Sequence, residues 1–130
     1  MKVSAKDILN PLIVAAQPSD TLTEAAGIMR YNDVGAVAVL DHGRLVGIAT
    51  ERDLVRAIDD GVDLSQSVVT DYMTPHPAGV TSETDVREVA RAMLQLGVRH
   101  LPIVDDGDLV GMVGIRDVLL ETVIEKSISA

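Results

Sequence analysis

The stretch Gly47-Ile48-Ala49-Thr50-Glu51-Arg52-Asp53 decides how the fold of this chain is interpreted. It returns as Gly111-Met112-Val113-Gly114-Ile115-Arg116-Asp117. The two leading glycines are 111 − 47 = 64 residues apart, which is close to half of the 130 residues. In both copies an apolar, strand-like run leads directly into the start of a helix. We therefore interpret the chain as one supersecondary unit that occurs twice.

The whole chain aligns with itself at this shift without a gap. Identical residues face each other through both halves: Asp7 and Asp71, Pro11 and Pro75, Met29 and Met93, Arg52 and Arg116, Asp53 and Asp117. We predict two repeats, over residues 1–64 and 65–130. A unit of about 60 residues buries little surface by itself. We therefore expect the repeats to pack as one intertwined, pseudo-symmetric module with two clefts between them.

Each repeat has the same predicted order of strand, helix, strand, strand and helix. In the first repeat, Thr21-x-x-Glu24 is a capping box that starts a helix. This helix and its counterpart should end near Asn32 and Gly97, which tolerate a left-handed C-cap. Two apolar runs, Ala36–Leu40 and Leu45–Ala49, flank turn-forming residues and predict a β-hairpin. The predicted fold class is α/β (α+β), with the pattern repeated in the second half.

Composition and charge exclude several classes of protein. The net charge is −9 and the 11 Lys and Arg form no cluster, which argues against DNA as a partner. The absence of Cys excludes disulfides, thiolate metal sites and a Cys nucleophile. No apolar run approaches the roughly 18 residues of a membrane helix, and the N-terminus lacks the apolar core of a secretory signal. We expect a cytoplasmic protein that does not enter a membrane.

The stretch that ends at Asp53 has the chemistry of a nucleotide site. Thr50 lies where a strand turns into a helix, so free N–H groups and the positive end of the helix dipole can receive a phosphate. Arg52 adds a cation, and Asp53 can accept hydrogen bonds from two ribose hydroxyls. The apolar segment Val98–Pro102 can face an adenine. A helix cap explains Thr50 and Asp53 equally well.

The second repeat helps to choose between a ligand role and a capping role for Asp53. There Gly114 replaces the capping Thr, yet Arg116 and Asp117 are retained. A residue that only completes a capping box would not be needed once its partner is gone. This favours a ligand role for the aspartates, although common ancestry of the two halves would also explain their retention.

The repeat layout resembles a known family. The Gly-h-h-Thr/Ser-x-x-Asp pattern (h, hydrophobic) and the run Arg99-His100-Leu101-Pro102 before Ile103-Val104-Asp105 are similar to those of a CBS-domain pair, or Bateman module. The resemblance covers nearly the whole chain. It implies a stand-alone regulatory or sensor module that binds AMP, ADP, ATP or S-adenosylmethionine. Such a module needs no cofactor for chemistry and is not an enzyme.

The resemblance also implies which residues line the two clefts. The first cleft takes Thr50, Arg52, Asp53, His76, Pro77, Ala78, Val98, Arg99, His100 and Pro102. The second takes Leu12, Ile13, Val14, Val34, Gly35, Ala36, Gly114, Arg116 and Asp117. In the second cleft Gly114 departs from the Thr/Ser of the pattern, and Gly35 and Leu12 stand in place of Arg99 and His76. We therefore expect the first cleft to bind a nucleotide more strongly.

Other functions have weaker support in the sequence. The three histidines do not form a metal-ligand set, and no base stands near Thr50 to activate it as a nucleophile. We expect no catalytic residue and no metal. The helices after Asp53 and Asp117 have broad apolar faces, which predict a homodimer, and an unknown effector protein would respond in trans. The alternative is a structural dimerisation module with vestigial or empty clefts.

Overall fold

A computed structural model of the chain describes residues 2–129, with side chains over 2–123. The predicted mixed α/β class is confirmed. The elements, in chain order, are α1 (Ala5–Ile8), β1 (Ala15–Ala16), α2 (Leu22–Asn32), β2 (Ala36–Asp41), β3 (Arg44–Thr50), α3 (Glu51–Asp59), a 3₁₀ turn (Val69–Asp71), β4 (Thr74–Pro75), α4 (Val86–Leu96), β5 (His100–Asp105), β6 (Asp108–Gly114) and α5 (Ile115–Ser129).

The chain divides into two compact units. The continuous unit is Val14–Pro77, and the discontinuous unit combines Met1–Ile13 with Ala78–Ala130. The predicted repeats, 1–64 and 65–130, were defined by sequence similarity. The compact units differ from these repeats, because the opening segment of each repeat packs with the hairpin of the other repeat.

The continuous unit contains a four-stranded sheet in the order β1-β2-β3-β4. β1 is parallel to β2, while β2, β3 and β4 pair in antiparallel fashion. His42 and Gly43 connect β2 to β3 with positive φ values of 50° and 81°, as the tight hairpin turn requires. The buried core consists of Ala16, Ala25, Met29, Val37, Val39, Ala49 and Val69.

The discontinuous unit has a related layout around the β5–β6 hairpin. Val80 forms a parallel bridge to Ile103 and Asn10 forms an antiparallel bridge to Met112, one on each side of the hairpin. The buried core consists of Ala5, Val86, Val89, Met93, Leu101, Ile103, Val113 and Val118. Each hairpin is therefore flanked by a short segment from the opening of one repeat and another from the opening of the other.

Local sequence signals explain where the helices begin and end. Thr21 and Glu24 form the reciprocal capping box expected at the start of α2. The left-handed C-cap of α2 is Asp33, one residue beyond the predicted Asn32, with φ 53°. Asp can adopt this conformation because its short polar side chain bonds locally. Gly97 caps α4 as predicted, with φ 67°.

Candidate functional site

In the continuous unit, the candidate site is built where β3 passes into α3. Thr50 caps the helix with extended backbone, and its Oγ1 accepts a hydrogen bond from Asp53 N at 3.4 Å. Asp53 Oδ2 in turn accepts from Thr50 N at 2.8 Å and from Thr50 Oγ1 at 3.2 Å. The capping role considered from the sequence is therefore formed, and it occupies one carboxylate oxygen of Asp53.

The other carboxylate oxygen of Asp53 is held by a residue that the sequence prediction did not include. Arg56 Nη1 donates to Asp53 Oδ1 at 2.9 Å, and the guanidinium lies 5.5 Å from the centre of the Tyr72 ring. Asp53 is buried, at 6% exposure. The available signal was the three-residue spacing of Asp53 and Arg56 on a helix, which allows such a pair to meet.

Tyr72 lies in the segment before β4 and contacts Arg56 on α3 and Asp60 just after α3. Its hydroxyl donates to Asp60 Oδ2 at 2.7 Å. This hydrogen bond raises the pKa of Tyr72 above its ordinary value, because the bond requires the protonated phenol. Arg56 therefore lies between the Asp53 carboxylate on its own helix and the Tyr72 ring, whose hydroxyl is bonded to Asp60.

In the discontinuous unit, the equivalent site is built where β6 passes into α5. Asp117 Oδ2 accepts a hydrogen bond from Gly114 N at 2.9 Å, so the backbone half of the capping interaction persists without a Thr. His100 pairs with Gly114 across the hairpin. A Cβ built on Gly114 would lie 3.5 Å from Asp117 Oδ2 and 3.6 Å from His100 Cδ2. The imidazole and the carboxylate therefore approach the same backbone position.

The segments before the hairpins lie beside the helix starts of their own repeats. Glu51 N donates to Gly35 O at 3.0 Å, and Ile115 N donates to Arg99 O at 2.8 Å. The reason is topological: in an antiparallel hairpin, the residue before the first strand and the residue after the second lie at the same end. The sequence analysis also assigned Arg99 to the cleft of Asp53 and Gly35 to the cleft of Asp117, and these assignments stay predictions.

The remaining predicted residues divide between the two units. In the continuous unit, His76 N donates to Val46 O at 3.0 Å, Val14 O accepts from Ala38 N at 3.0 Å, and Val34 N donates to Met29 O at 3.0 Å. Ala36 pairs with Thr50, Pro77 is half-buried, and Arg52 is exposed.

In the discontinuous unit, two predicted residues make backbone hydrogen bonds. Val98 N donates to Met93 O at 3.0 Å, and buried Pro102 accepts from Val80 N at 3.2 Å. The other predicted residues of this unit lie towards solvent, namely Leu12, Ile13, Ala78 and Arg116. Leu12 is 64% exposed.

Two negative observations concern the described residues only. Over that part of the chain, no group of three or more His, Asp or Glu side chains is placed to hold a metal ion. Within the same limits, no helix has the length and apolar character needed to cross a membrane.

Comparison with known proteins identifies the family. The model of the CBS domain matches the chain twice, over residues 5–60 and 69–123. The chain belongs to the CBS domain family. The two matches confirm the tandem pair that the 64-residue repeat predicted, and we refer to the protein below as the CBS pair.

The relatives found by sequence include the following two proteins. An uncharacterized 17.7 kDa protein of Acidianus ambivalens is 40% identical over 119 residues, which cover 90% of this chain and 71% of that protein. The CBS domain-containing protein YhcV of Bacillus subtilis is 31% identical over 125 residues, covering 95% of this chain and 89% of the relative.

A solved structure extends the comparison to a liganded protein. The CBS domain pair of protein MJ0100, in complex with 5′-methylthioadenosine and S-adenosyl-L-methionine, has a TM-score of 0.89 to this chain. The two are 26% identical, and the alignment covers 96% of this chain and 99% of that one.

Proposed function

We propose that this CBS pair is a regulatory module that binds an adenosine-containing ligand and performs no chemistry of its own. The observation that carries the proposal is the repeated helix start with its retained aspartate, Asp53 in one repeat and Asp117 in the other. Similarity to a CBS domain pair that holds two adenosine compounds supports this choice of ligand.

The chemistry of the helix starts suits the parts of such a ligand. A carboxylate is an acceptor-only group and can receive both vicinal hydroxyls of a ribose. Thr50 N and Gly114 N already donate to the aspartates, but the first turns of α3 and α5 lie at positive helix ends, whose dipoles favour a phosphate or a carboxylate. AMP, ADP, ATP and S-adenosylmethionine all combine a ribose with a charged group. The residues predicted from the sequence for both clefts remain part of this proposal.

Calorimetric titration tests the proposal directly. AMP, ADP, ATP, S-adenosylmethionine and 5′-methylthioadenosine would each be titrated into the CBS pair, with GMP and the corresponding 2′-deoxy compounds as controls. We expect at least one adenosine ligand to bind, and the 2′-deoxy form to bind more weakly because one donor to the carboxylate is gone. A double variant, Asp53→Asn with Asp117→Asn, should bind at least tenfold more weakly.

The results have distinct meanings. If no ligand of the panel binds, the sensing function is wrong. If a ligand binds and the double variant retains its affinity, adenosine binding stands, but the assignment of the two aspartates to ribose is wrong. Hydrolysis of a ligand during the titration would contradict the absence of chemistry.

A dimerisation role is a second candidate, supported by apolar surface. The exposed side chains on α3 and α5 include five large apolar ones, Val55, Ile58, Leu119, Leu120 and Val123, each between 56% and 63% exposed. Large apolar side chains that stand together on a helix mark an interaction surface. We expect a homodimer by light scattering, and Ile58→Lys with Leu119→Lys should shift it to a monomer. A monomeric parent protein would contradict this role.

A further inference from the structure

The two aspartates that the proposed function relies on have different hydrogen-bond partners. Asp53 Oδ2 receives Thr50 N and Thr50 Oγ1, and Asp53 Oδ1 receives Arg56 Nη1. Asp117 Oδ2 receives Gly114 N, and His100 lies beside the same backbone position. A carboxylate has about four acceptor positions, so the three bonds to Asp53 leave about one for a ligand.

Arg56, which holds the second carboxylate oxygen of Asp53, is replaced by another residue type in the second repeat. Arg56 corresponds to Leu120, since 56 + 64 = 120. Leucine has no donor, so the second repeat cannot make an equivalent of the Arg56–Asp53 bond. Leu120 is 61% exposed, so an arginine at this position would not be buried within the chain.

Arg56 is positioned by more than its bond to Asp53. The guanidinium lies against the Tyr72 ring at 5.5 Å, a separation at which a cation is attracted to the aromatic face. Tyr72 is fixed in turn by its hydrogen bond to Asp60. A ribose that approached Asp53 Oδ1 would therefore have to displace a guanidinium that has two favourable contacts.

We propose that Arg56 lowers the affinity of the first repeat for a ribose by occupying Asp53, a competition that Leu120 cannot supply at the same position of the second repeat. This inference rests on the proposed function and specifies how its two sites differ. It works against the ranking expected from the sequence, which rested on Thr50, Arg99 and His76 in the first cleft and did not consider Arg56.

The expected effect is modest because the ion pair is partly solvated. The side chain of Arg56 is 58% exposed, against 8% for that of Asp53. Ion pairs of this kind correspond to a factor of about two to five in an equilibrium constant. Removal of the guanidinium should therefore raise the affinity of the first site by about two- to fivefold.

The test uses 5′-methylthioadenosine, which carries no phosphate that Arg56 could attract. Asp117→Asn isolates the first site, and Arg56→Leu is then added to give that site the residue of the second repeat. The matched control isolates the second site with Asp53→Asn and adds Leu120→Arg. We expect calorimetry to show that Arg56→Leu strengthens binding and Leu120→Arg weakens it, each by about two- to fivefold.

Tyr72 fluorescence tests the inference in a protein that retains Arg56, so the result does not depend on how an Arg56 variant folds. The chain has two Tyr and no Trp, so Tyr31→Phe leaves Tyr72 as the sole fluorophore, and Tyr31 is 91% exposed. Ligand binding at the first site should change Tyr72 emission as the guanidinium leaves the ring. In the Asp53→Asn variant, 5′-methylthioadenosine should leave the Tyr72 emission unchanged.

The outcomes separate this inference from the proposed function. If the probe binds through the aspartates but Arg56→Leu leaves the affinity unchanged or lower, the role of Arg56 is overturned and the sensing function stands. Unchanged Tyr72 emission at saturation of the first site would also overturn it. If the probe does not bind to the parent protein or to any variant, both proposals fail.

Discussion

Replacing each aspartate by alanine should cost different amounts of stability in the two repeats. Asp53→Ala removes an acceptor from three hydrogen bonds, donated by Thr50 N, Thr50 Oγ1 and Arg56 Nη1. Asp117→Ala removes the acceptor of the hydrogen bond that Gly114 N donates over 2.9 Å. Asp53 is buried and Asp117 is half-buried, so the polar groups left behind differ in their access to water.

The size of the difference follows from these contacts. Loss of a capping side chain costs about 0.5–2 kcal/mol, and a partly buried donor left without its acceptor costs about 1–3 kcal/mol. The Arg56 pair adds about 0.4–1 kcal/mol, since its guanidinium is partly in water. These terms overlap, so we expect about 2–3 kcal/mol for Asp53→Ala and about 1 kcal/mol for Asp117→Ala.

Urea unfolding followed by far-ultraviolet circular dichroism measures both values, since the chain has no Trp. Asp53→Asn is the matched control: it keeps one carbonyl oxygen for Thr50 N and should recover about half of the loss. Equal costs for the two alanine variants would refute the reasoning, because the difference in hydrogen bonding would then have no energetic consequence. The same argument is why the ligand titrations use asparagine rather than alanine.

Three further changes have outcomes that follow from local geometry. Gly27→Ala should raise the free energy of unfolding by about 0.5–1 kcal/mol, because a Cβ in the middle of α2 meets nothing within 4 Å. Gly111→Ala should lower the free energy of unfolding by about 1–3 kcal/mol, because the new Cβ would lie 2.6 Å from Asn10 O. The urea midpoint measures both changes, and an unchanged midpoint for Gly111→Ala would contradict the close approach. The hydroxyl of Ser65, and then its backbone N–H, lower the pKa of Asp63 below 3.8. Since the folded pKa is depressed, the stabilisation is present above pH 3.8 and is lost as the pH falls through the folded pKa. Asp63→Asn should therefore lose less stability on acidification below about pH 4, as acid titrations of the two proteins would show, and an unchanged acid limb would contradict this assignment.

Local signals explain why much of this fold was predictable. The 64-residue repeat identified the tandem pair, the capping box at Thr21 started α2 where the structure has it, and the turn at His42 closed the first hairpin. The capping box and the turn each act over two to four residues, where hydrogen-bond geometry and backbone conformation depend mainly on the neighbouring residue types. The Thr50–Asp53 cap was found for the same reason.

The sequence by itself therefore determined the duplication and, in each repeat, the helix, the hairpin and the second helix. Only the tertiary structure decided which opening segment flanks which hairpin, and that Arg56 meets Asp53 beside Tyr72. Pairings such as Asn10 with Met112 join residues far apart in the chain, and they are selected by total burial and loop closure rather than by a local preference. Side chains such as Arg56 can point in many directions on an exposed helix, and it is the position of Tyr72 in the folded unit that selects one of them.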